Sequence, residues 1–279
     1  MARTRRPATR AERRQALVAA LLATLFVLAS CGFRGASDES VDDDVRRALA
    51  ESKDHPDLAA ADFDRAVALA PGTSFPLAVR GRFRAERGDT AHALADLDRA
   101  IALGPSAELY YWRGLVYEQI HEYPRAVADC THAIELDPKL ADAYAHRCAS
   151  RALGPKKEWK RASADCEKAI ALGPDRSAGY FSRALVHFLQ MRNPHRIVAD
   201  CDKAIALDPG HYQAYALRAA VHDASGQHAR ACADTRRARA LHPHGSATWE
   251  ATLTQLERAC APAARPKPAA VARAGAAAQ

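Results

Sequence analysis

Arginine and aspartate recur together along this chain at a nearly constant spacing. The arginine precedes the aspartate by 16, 17 or 18 residues in five pairs: Arg80 and Asp96, Arg113 and Asp129, Arg147 and Asp165, Arg183 and Asp200, and Arg218 and Asp234. Such groups could exchange protons in catalysis, or they could form ion pairs that join two helices. A set that is repeated along the whole chain is typical of the fold rather than of a single active site. We therefore predict structural ion pairs.

Cysteine is the other residue type with potential chemistry. Cys130, Cys166 and Cys201 occupy the same position of three related segments, where we predict that they act as small packing residues. Cys130 and Cys148 each lie nine residues from the turn around Lys139, so they should be level on adjacent antiparallel helices. This pair is the candidate for a disulfide, and the alternative is that both thiols stay reduced.

Spacings that are typical of metal sites and catalytic motifs are absent from the sequence. It contains no Cys-x-x-Cys, no His-Glu-x-x-His, no phosphate-binding glycine motif and no Gly-x-Ser-x-Gly turn, and its 12 histidines are scattered. We predict no catalytic residue, no metal and no cofactor. The alternative is an enzyme, or an enzyme subunit, whose site assembles only in three dimensions.

The elements that must position the arginines and aspartates are repeated helices. Residues 126–138, AVADCTHAIELDP, place apolar residues mostly at steps of three and four, the spacing of one helix face, and the final proline stops the helix. Related segments also end at a proline: Pro71, Pro105, Pro174, Pro209 and Pro243. Together with Pro138 these prolines lie 33 to 36 residues apart. A fixed period of this length indicates stacked repeats.

The unit that contains Gly114, Tyr117, Ala126, Ala133 and Pro138 carries small residues, an aromatic residue and a proline at defined spacings. This pattern resembles the tetratricopeptide repeat family, whose period is about 34 residues. The resemblance covers about 200 residues of the chain. It implies an all-α, right-handed solenoid of about six helix-turn-helix repeats, closed by a C-terminal capping helix.

The same resemblance implies a concave groove that is lined by the first helix of each repeat and binds a protein or peptide. Carried over to this chain, the groove residues are Phe75, Arg82, Tyr111, Leu115, Glu118, Phe181, Leu185, Phe188 and Ala216. Phe181, Leu185 and Phe188 form the predicted hot spot, because binding energy concentrates in buried aromatic residues. The alternative is that some of these side chains pack against neighbouring helices.

The first 30 residues have the composition of an export signal. Six arginines precede an apolar run at residues 16–29, which as a helix spans about 21 Å and is shorter than the bilayer core of about 30 Å. The run ends in Leu28-Ala29-Ser30-Cys31, which resembles a bacterial lipobox and implies cleavage before Cys31 and its acylation. Alternatives are an ordinary signal cleaved nearby, an uncleaved anchor, and a twin-arginine signal at Arg13-Arg14, which the flanking residues fit poorly.

These features divide the chain into a signal peptide at residues 1–30, a tether at 31–41, a solenoid at 42–260 and a disordered basic tail at 261–279. The net charge of +7 lies at the two ends, +5 in the first 30 residues and +3 in the last 19, which leaves about −1 for the body. A body of that charge lacks the electrostatic footprint of a nucleic-acid-binding protein.

From these observations we predict a lipid-anchored scaffold or adaptor that binds another envelope protein, similar to a pilotin or an assembly adaptor. Gly32 stands where an aspartate would favour retention in the inner membrane of enteric-type bacteria, so we expect the periplasmic face of the outer membrane. In an organism with a single membrane, the expected location is the cell surface. The further alternative is a structural spacer of the envelope.

Overall fold

A computed structural model describes residues 39–52, 54–241 and 247–260 of the chain. In these ranges the chain forms thirteen α-helices and no β-strand. The helices are α1 (Glu39–Glu51), α2 (Pro56–Leu69), α3 (Ser74–Glu86), α4 (Thr90–Leu103), α5 (Ala107–Gln119), α6 (Tyr123–Leu136), α7 (Ala141–Leu153), α8 (Trp159–Leu172), α9 (Ser177–Leu189), α10 (Pro194–Leu207), α11 (Tyr212–Ala224), α12 (His228–Leu241) and α13 (Ala247–Cys260).

The predicted all-α fold of six helix pairs and a closing helix is confirmed. Helix α1 begins at Glu39, three residues before the predicted start and inside the segment assigned to the tether. The predictions for the signal peptide at residues 1–30, for Cys31 and for the tail at 261–279 lie outside the described residues.

Prolines and capping residues set the helix boundaries. Helices α2, α4, α6, α8 and α10 each end two residues before a proline, because proline disfavours helical backbone in the residue before it and lacks an N–H group. At the other end, the side chain of Ser106 accepts a hydrogen bond from the backbone N–H of Leu109, and Asn193 accepts one from Arg196. These caps satisfy N–H groups that have no partner within the helix.

The chain divides into two compact units, one ending at Lys168 and one beginning at Ala169, within α8. In the first unit, α1, α2 and α3 enclose a cluster that includes Val45, Phe63 and Val79. A second cluster contains Leu77 of α3 and Leu97 of α4. Gly81 lets these two helices approach closely, because a Cβ atom there would lie 3.1 Å from the Leu97 Cγ atom.

In the second unit, α9 packs against α10, and α11 packs against both α10 and α12. Helix α13 contacts α12 and also α11. Its Leu253 side chain is buried with Ala216 of α11 and Ala238 of α12. The closing helix therefore covers apolar surface on both helices of the last repeat.

Candidate functional site

All five predicted Arg–Asp pairs are present in the structure, and all have the same geometry. In each pair the arginine Nε and Nη2 atoms donate hydrogen bonds to the two carboxylate oxygens at N···O distances of 2.7–3.0 Å. The five aspartates are 3–8% exposed. Each pair joins the first and second helices of one repeat, so these residues form part of the scaffold.

Several of these arginines also contact the preceding repeat. The Nη1 atoms of Arg80 and Arg113 donate to Asp64 of α2 and Asp98 of α4, at 2.8 and 2.7 Å. Arg218 makes the corresponding bond to Asp202 of α10, and Arg147 donates to the hydroxyl of Thr131. One guanidinium therefore links three helices. The hydrogen bond to Asp129 raises the pKa of Arg113 further above its already high usual value, so this group stays charged.

Tyrosines complete the arrangement in four repeats. The arginine Cζ atom lies 5.5–5.9 Å from the centre of a tyrosine ring one helical turn earlier, in the pairs Tyr110–Arg113, Tyr144–Arg147, Tyr180–Arg183 and Tyr215–Arg218. A cation above a ring face is attracted by the ring quadrupole. Tyrosine therefore recurs in the sequence because its ring stabilises the arginine of the ion pair.

The disulfide prediction was wrong in its pairing. Cys148 is bonded to Cys166, so the packing role predicted for Cys166 is also wrong, and Cys130 is a free, buried thiol. A Cβ atom at Gly114 would lie 3.3 Å from the Cys130 sulfur, so these two positions face each other across one repeat. Cys148 stands at the position of Gly114 in the next repeat, and it therefore meets Cys166 of its own repeat.

A second disulfide joins Cys232 of α12 to Cys260, the last residue of α13. This bridge fixes the closing helix to the last repeat. Sequence reasoning missed it, because Cys260 follows the repeats and has no counterpart in any of them. The only available signal was the presence of two further cysteines near the C-terminal end.

The two free thiols of the described residues, Cys130 and Cys201, are buried. Burial raises the pKa of both thiols above the usual range, because a thiolate is poorly solvated in an apolar interior. The nucleophilic form is the thiolate, so neither residue is suited to nucleophilic catalysis.

In the first unit, the predicted groove residues keep part of their surface exposed. Phe75, Arg82, Tyr111, Leu115 and Glu118 are all partly exposed. The Arg82 guanidinium of α3 lies 5.6 Å from the ring centre of Trp112 on α5. This contact joins the first helices of the second and third repeats.

A histidine of α7 extends this arrangement. The Nδ1 atom of His146 is 2.8 Å from a carboxylate oxygen of Glu118, and its ring lies edge-on to that of Tyr111 at 5.6 Å between ring centres. Burial lowers the pKa of His146, but the charge of Glu118 and the hydrogen bond to it outweigh that effect, so the pKa is raised. His146 is a residue of this face that sequence reasoning did not select.

In the second unit, the predicted hot spot does not form an open patch. Leu185 is only 6% exposed and Ala216 is fully buried, where it packs with Leu253 of α13. The Phe181 ring lies 4.7 Å from His211 and 6.3 Å from Trp249 of α13, between ring centres. Phe188 is exposed at the end of α9. The prediction failed here because α13 covers residues that the family pattern assigns to the groove.

Neither a metal-binding cluster nor a membrane-spanning helix occurs in the part of the chain that the structure describes. Within residues 39–52, 54–241 and 247–260, no group of three or more histidine, cysteine, aspartate or glutamate side chains is placed to hold a metal ion. None of the thirteen helices has the length and apolar character needed to cross a bilayer.

Comparisons with known proteins agree with this architecture. The tetratricopeptide repeat family model matches residues 107–140, the repeat formed by α5 and α6. A search of curated proteins gave no match.

Solved structures share the fold at low sequence identity. A tetratricopeptide repeat protein from Parabacteroides merdae aligns with a TM-score of 0.66 and 19% identity, over 90% of this chain and 91% of that protein. PilW, described as a widely conserved type IV pilus biogenesis factor, aligns with a TM-score of 0.60 and 15% identity, over 79% of this chain and 99% of PilW. A thermophilic tetratricopeptide protein from Thermus thermophilus aligns with a TM-score of 0.58 and 16% identity, over 67% and 98% of the two chains. The family match covers one repeat of the chain, and the solved structures show that the chain as a whole shares the fold of tetratricopeptide repeat proteins.

Proposed function

We propose that this protein is a lipid-anchored adaptor of the cell envelope that binds a protein partner on the first helices of its N-terminal repeats. The observation that carries the proposal is the row of partly exposed residues on α3 and α5, which we call the inner row: Phe75, Arg82, Tyr111, Leu115 and Glu118. Arginine and tyrosine are enriched among the residues that dominate binding energy at protein interfaces.

The inner row suits an extended protein segment rather than a small substrate. Its apolar members, Phe75, Tyr111 and Leu115, come from two successive repeats, whereas Arg82 and Glu118 supply charges of both signs. A partner segment with apolar side chains between charged ones would match this pattern. The corresponding residues Leu185 and Ala216 in the second unit are buried, which favours the N-terminal repeats as the binding region.

The export and anchoring part of the proposal rests on the N-terminal sequence and on the cysteines. The apolar run before Cys31 ends in a sequence that resembles a lipobox, and the two disulfides agree with an oxidising compartment, because cytosolic thiols are normally kept reduced. PilW, a pilus biogenesis factor, has a similar fold. On this ground we propose that the protein has a pilotin-like role or a role in assembly. We propose that the protein acts by binding and not as an enzyme.

Capture experiments with a variant of the inner row test the proposal. The full chain and a Tyr111→Ala/Leu115→Ala variant are used to capture proteins from an envelope extract of the source organism. We expect the specific partner to be lost with the variant, since removal of hot-spot side chains costs about 2 kcal/mol or more, about thirtyfold in affinity.

Leu136→Ala is the matched control, because Leu136 is a 54% exposed leucine at the end of α6, on the second helix of its repeat. This variant should keep the partner. If the inner-row variant captured the same proteins as the unmodified chain, the inner row would not be the binding surface, and a structural spacer would be the better reading.

A further inference from the structure

The turn between α9 and α10 carries an exposed methionine at a backbone position that holds glycine in two other repeats and histidine in one. The second residue after the first helix has a positive φ angle at Gly88 (82°), His121 (63°), Met191 (51°) and Gly226 (73°). Glycine is favoured at such a position because it has no Cβ atom to clash with the backbone. In the fifth repeat this position holds a methionine.

Met191 contributes almost nothing to the core. Its side chain is 96% exposed, and Phe188, one turn earlier at the end of α9, is also exposed. A glycine at this position would remove both the backbone strain and the exposed apolar surface. Local strain that the fold does not require often marks a functional site.

The charged residues nearest to Met191 along the chain are all cations. Arg192 and Arg196 are exposed, and the 24 residues between Asp175 and Asp200 contain no acidic residue. His195, also exposed, lies between the two arginines along the chain. An exposed apolar side chain is thus flanked by cations without neighbouring carboxylates in the sequence.

We propose that Phe188, Met191, Arg192 and Arg196, which we call the Met191 tip, dock on an anionic phospholipid bilayer. Apolar side chains that project beside arginines suit a membrane interface, where the apolar groups enter the acyl boundary and the cations contact lipid phosphates. A protein partner would have to offer a pocket for a single projecting methionine, whereas a bilayer accepts it without a preformed cavity. The inference depends on neither the inner row nor the acylation of Cys31.

Met191 itself provides the measurement, since Met1 is the only other methionine. The full chain with Cys31→Ser is treated with hydrogen peroxide, and formation of Met191 sulfoxide is followed by mass spectrometry of the peptide that contains it. The reaction is run without vesicles, with phosphatidylcholine vesicles, and with vesicles of phosphatidylglycerol and phosphatidylcholine in equal amounts. We expect oxidation to be about tenfold slower with the anionic vesicles when about nine-tenths of the protein is docked.

Two variants provide the controls. Leu136→Met places an exposed methionine on α6, outside the proposed docking residues, and its oxidation rate should not change with vesicles. Arg192→Ala/Arg196→Ala should lose the protection of Met191 while its circular dichroism spectrum stays that of the parent chain.

Three results would overturn the proposal. They are equal oxidation of Met191 with and without anionic vesicles, equal protection by neutral vesicles, and equal protection of the methionine at position 136. Protection by a vesicle-free protein extract, with none by vesicles, would also overturn it and would assign the Met191 tip to a protein partner.

Discussion

Among individual residues, the buried aspartates determine how firmly the helices of one repeat are joined. Asp129 is 3% exposed and accepts two hydrogen bonds from Arg113, whereas Asp98 binds the same arginine from a position where its side chain is 56% exposed. One guanidinium therefore makes a buried pair on one side and an exposed pair on the other. This difference allows the two kinds of ion pair to be compared with a single common partner.

We expect Arg113→Ala to reduce the free energy of unfolding by about 3–5 kcal/mol, because the Asp129 carboxylate would remain buried without its partner. Asp98→Ala should cost about 1 kcal/mol or less, since an exposed pair is screened by water. Urea unfolding of both variants, followed by circular dichroism, measures the two changes. Because Arg113→Ala removes both pairs, the difference between the two variants gives the contribution of the buried pair, and equal effects would show that this pair contributes nothing.

Among the helices, the sequence was sufficient to predict contacts that recur in every repeat. It was insufficient to predict contacts that occur only once. The spacing of Arg113 and Asp129 predicted their contact because the same spacing, adjusted for turn length, occurs in every clear repeat. The next residues in each helix, Gly114 and Cys130, obey the same spacing. Applied to Cys148 in the next repeat, this spacing would have predicted Cys166 as its disulfide partner. The error came from counting residues to a turn between repeats rather than across one repeat.

Helix α13 was predicted to exist, but its contacts could not be predicted. It follows the last repeat, so no periodic position indicates that it covers Ala216 or reaches Phe181 through Trp249. Groove positions inferred from the family pattern assume that no later helix occupies them. That assumption holds for Tyr111 and Leu115, which stay partly exposed, and fails for Ala216.

The attachment of α13 leads to a prediction for the Cys232–Cys260 bridge. The bridge closes a loop of 28 residues, and such a loop is worth about 3–4 kcal/mol in the chain-entropy model. Ion pairs from Arg239 to Glu250 and Glu257 are more exposed and should contribute less. We therefore expect Cys260→Ser to increase amide hydrogen exchange throughout α13, as measured by mass spectrometry.

Cys148→Ser is the matched control for this measurement. It opens the other disulfide, which joins α7 to α8, and it should leave exchange in α13 unchanged. If α13 exchanged at the same rate in the unmodified chain and in Cys260→Ser, the helix would be held by its side-chain packing and ion pairs rather than by the disulfide.

At the scale of the whole molecule, charge and cysteine chemistry separate the ends of the chain from its body. The arginine-rich start and the apolar run before Cys31 have the composition expected of a targeting segment. Several acyl chains on one cysteine would attach the protein stably, since each buried CH₂ group contributes about 0.8 kcal/mol. In the proposed function, the position of the protein in the cell depends on the Cys31 side chain.

We therefore predict that Cys31→Ala abolishes acyl labelling and moves the protein from the membrane fraction to the soluble fraction of the source organism. Cys130→Ala is the matched control, because it removes a buried thiol of the body and should leave both labelling and fractionation unchanged. A Cys31→Ala protein that still carried the acyl label would contradict the lipobox interpretation. Membrane retention without the label would instead indicate that residues 16–29 act as an uncleaved anchor, because an apolar segment retained in the chain can hold the protein at the bilayer without acylation.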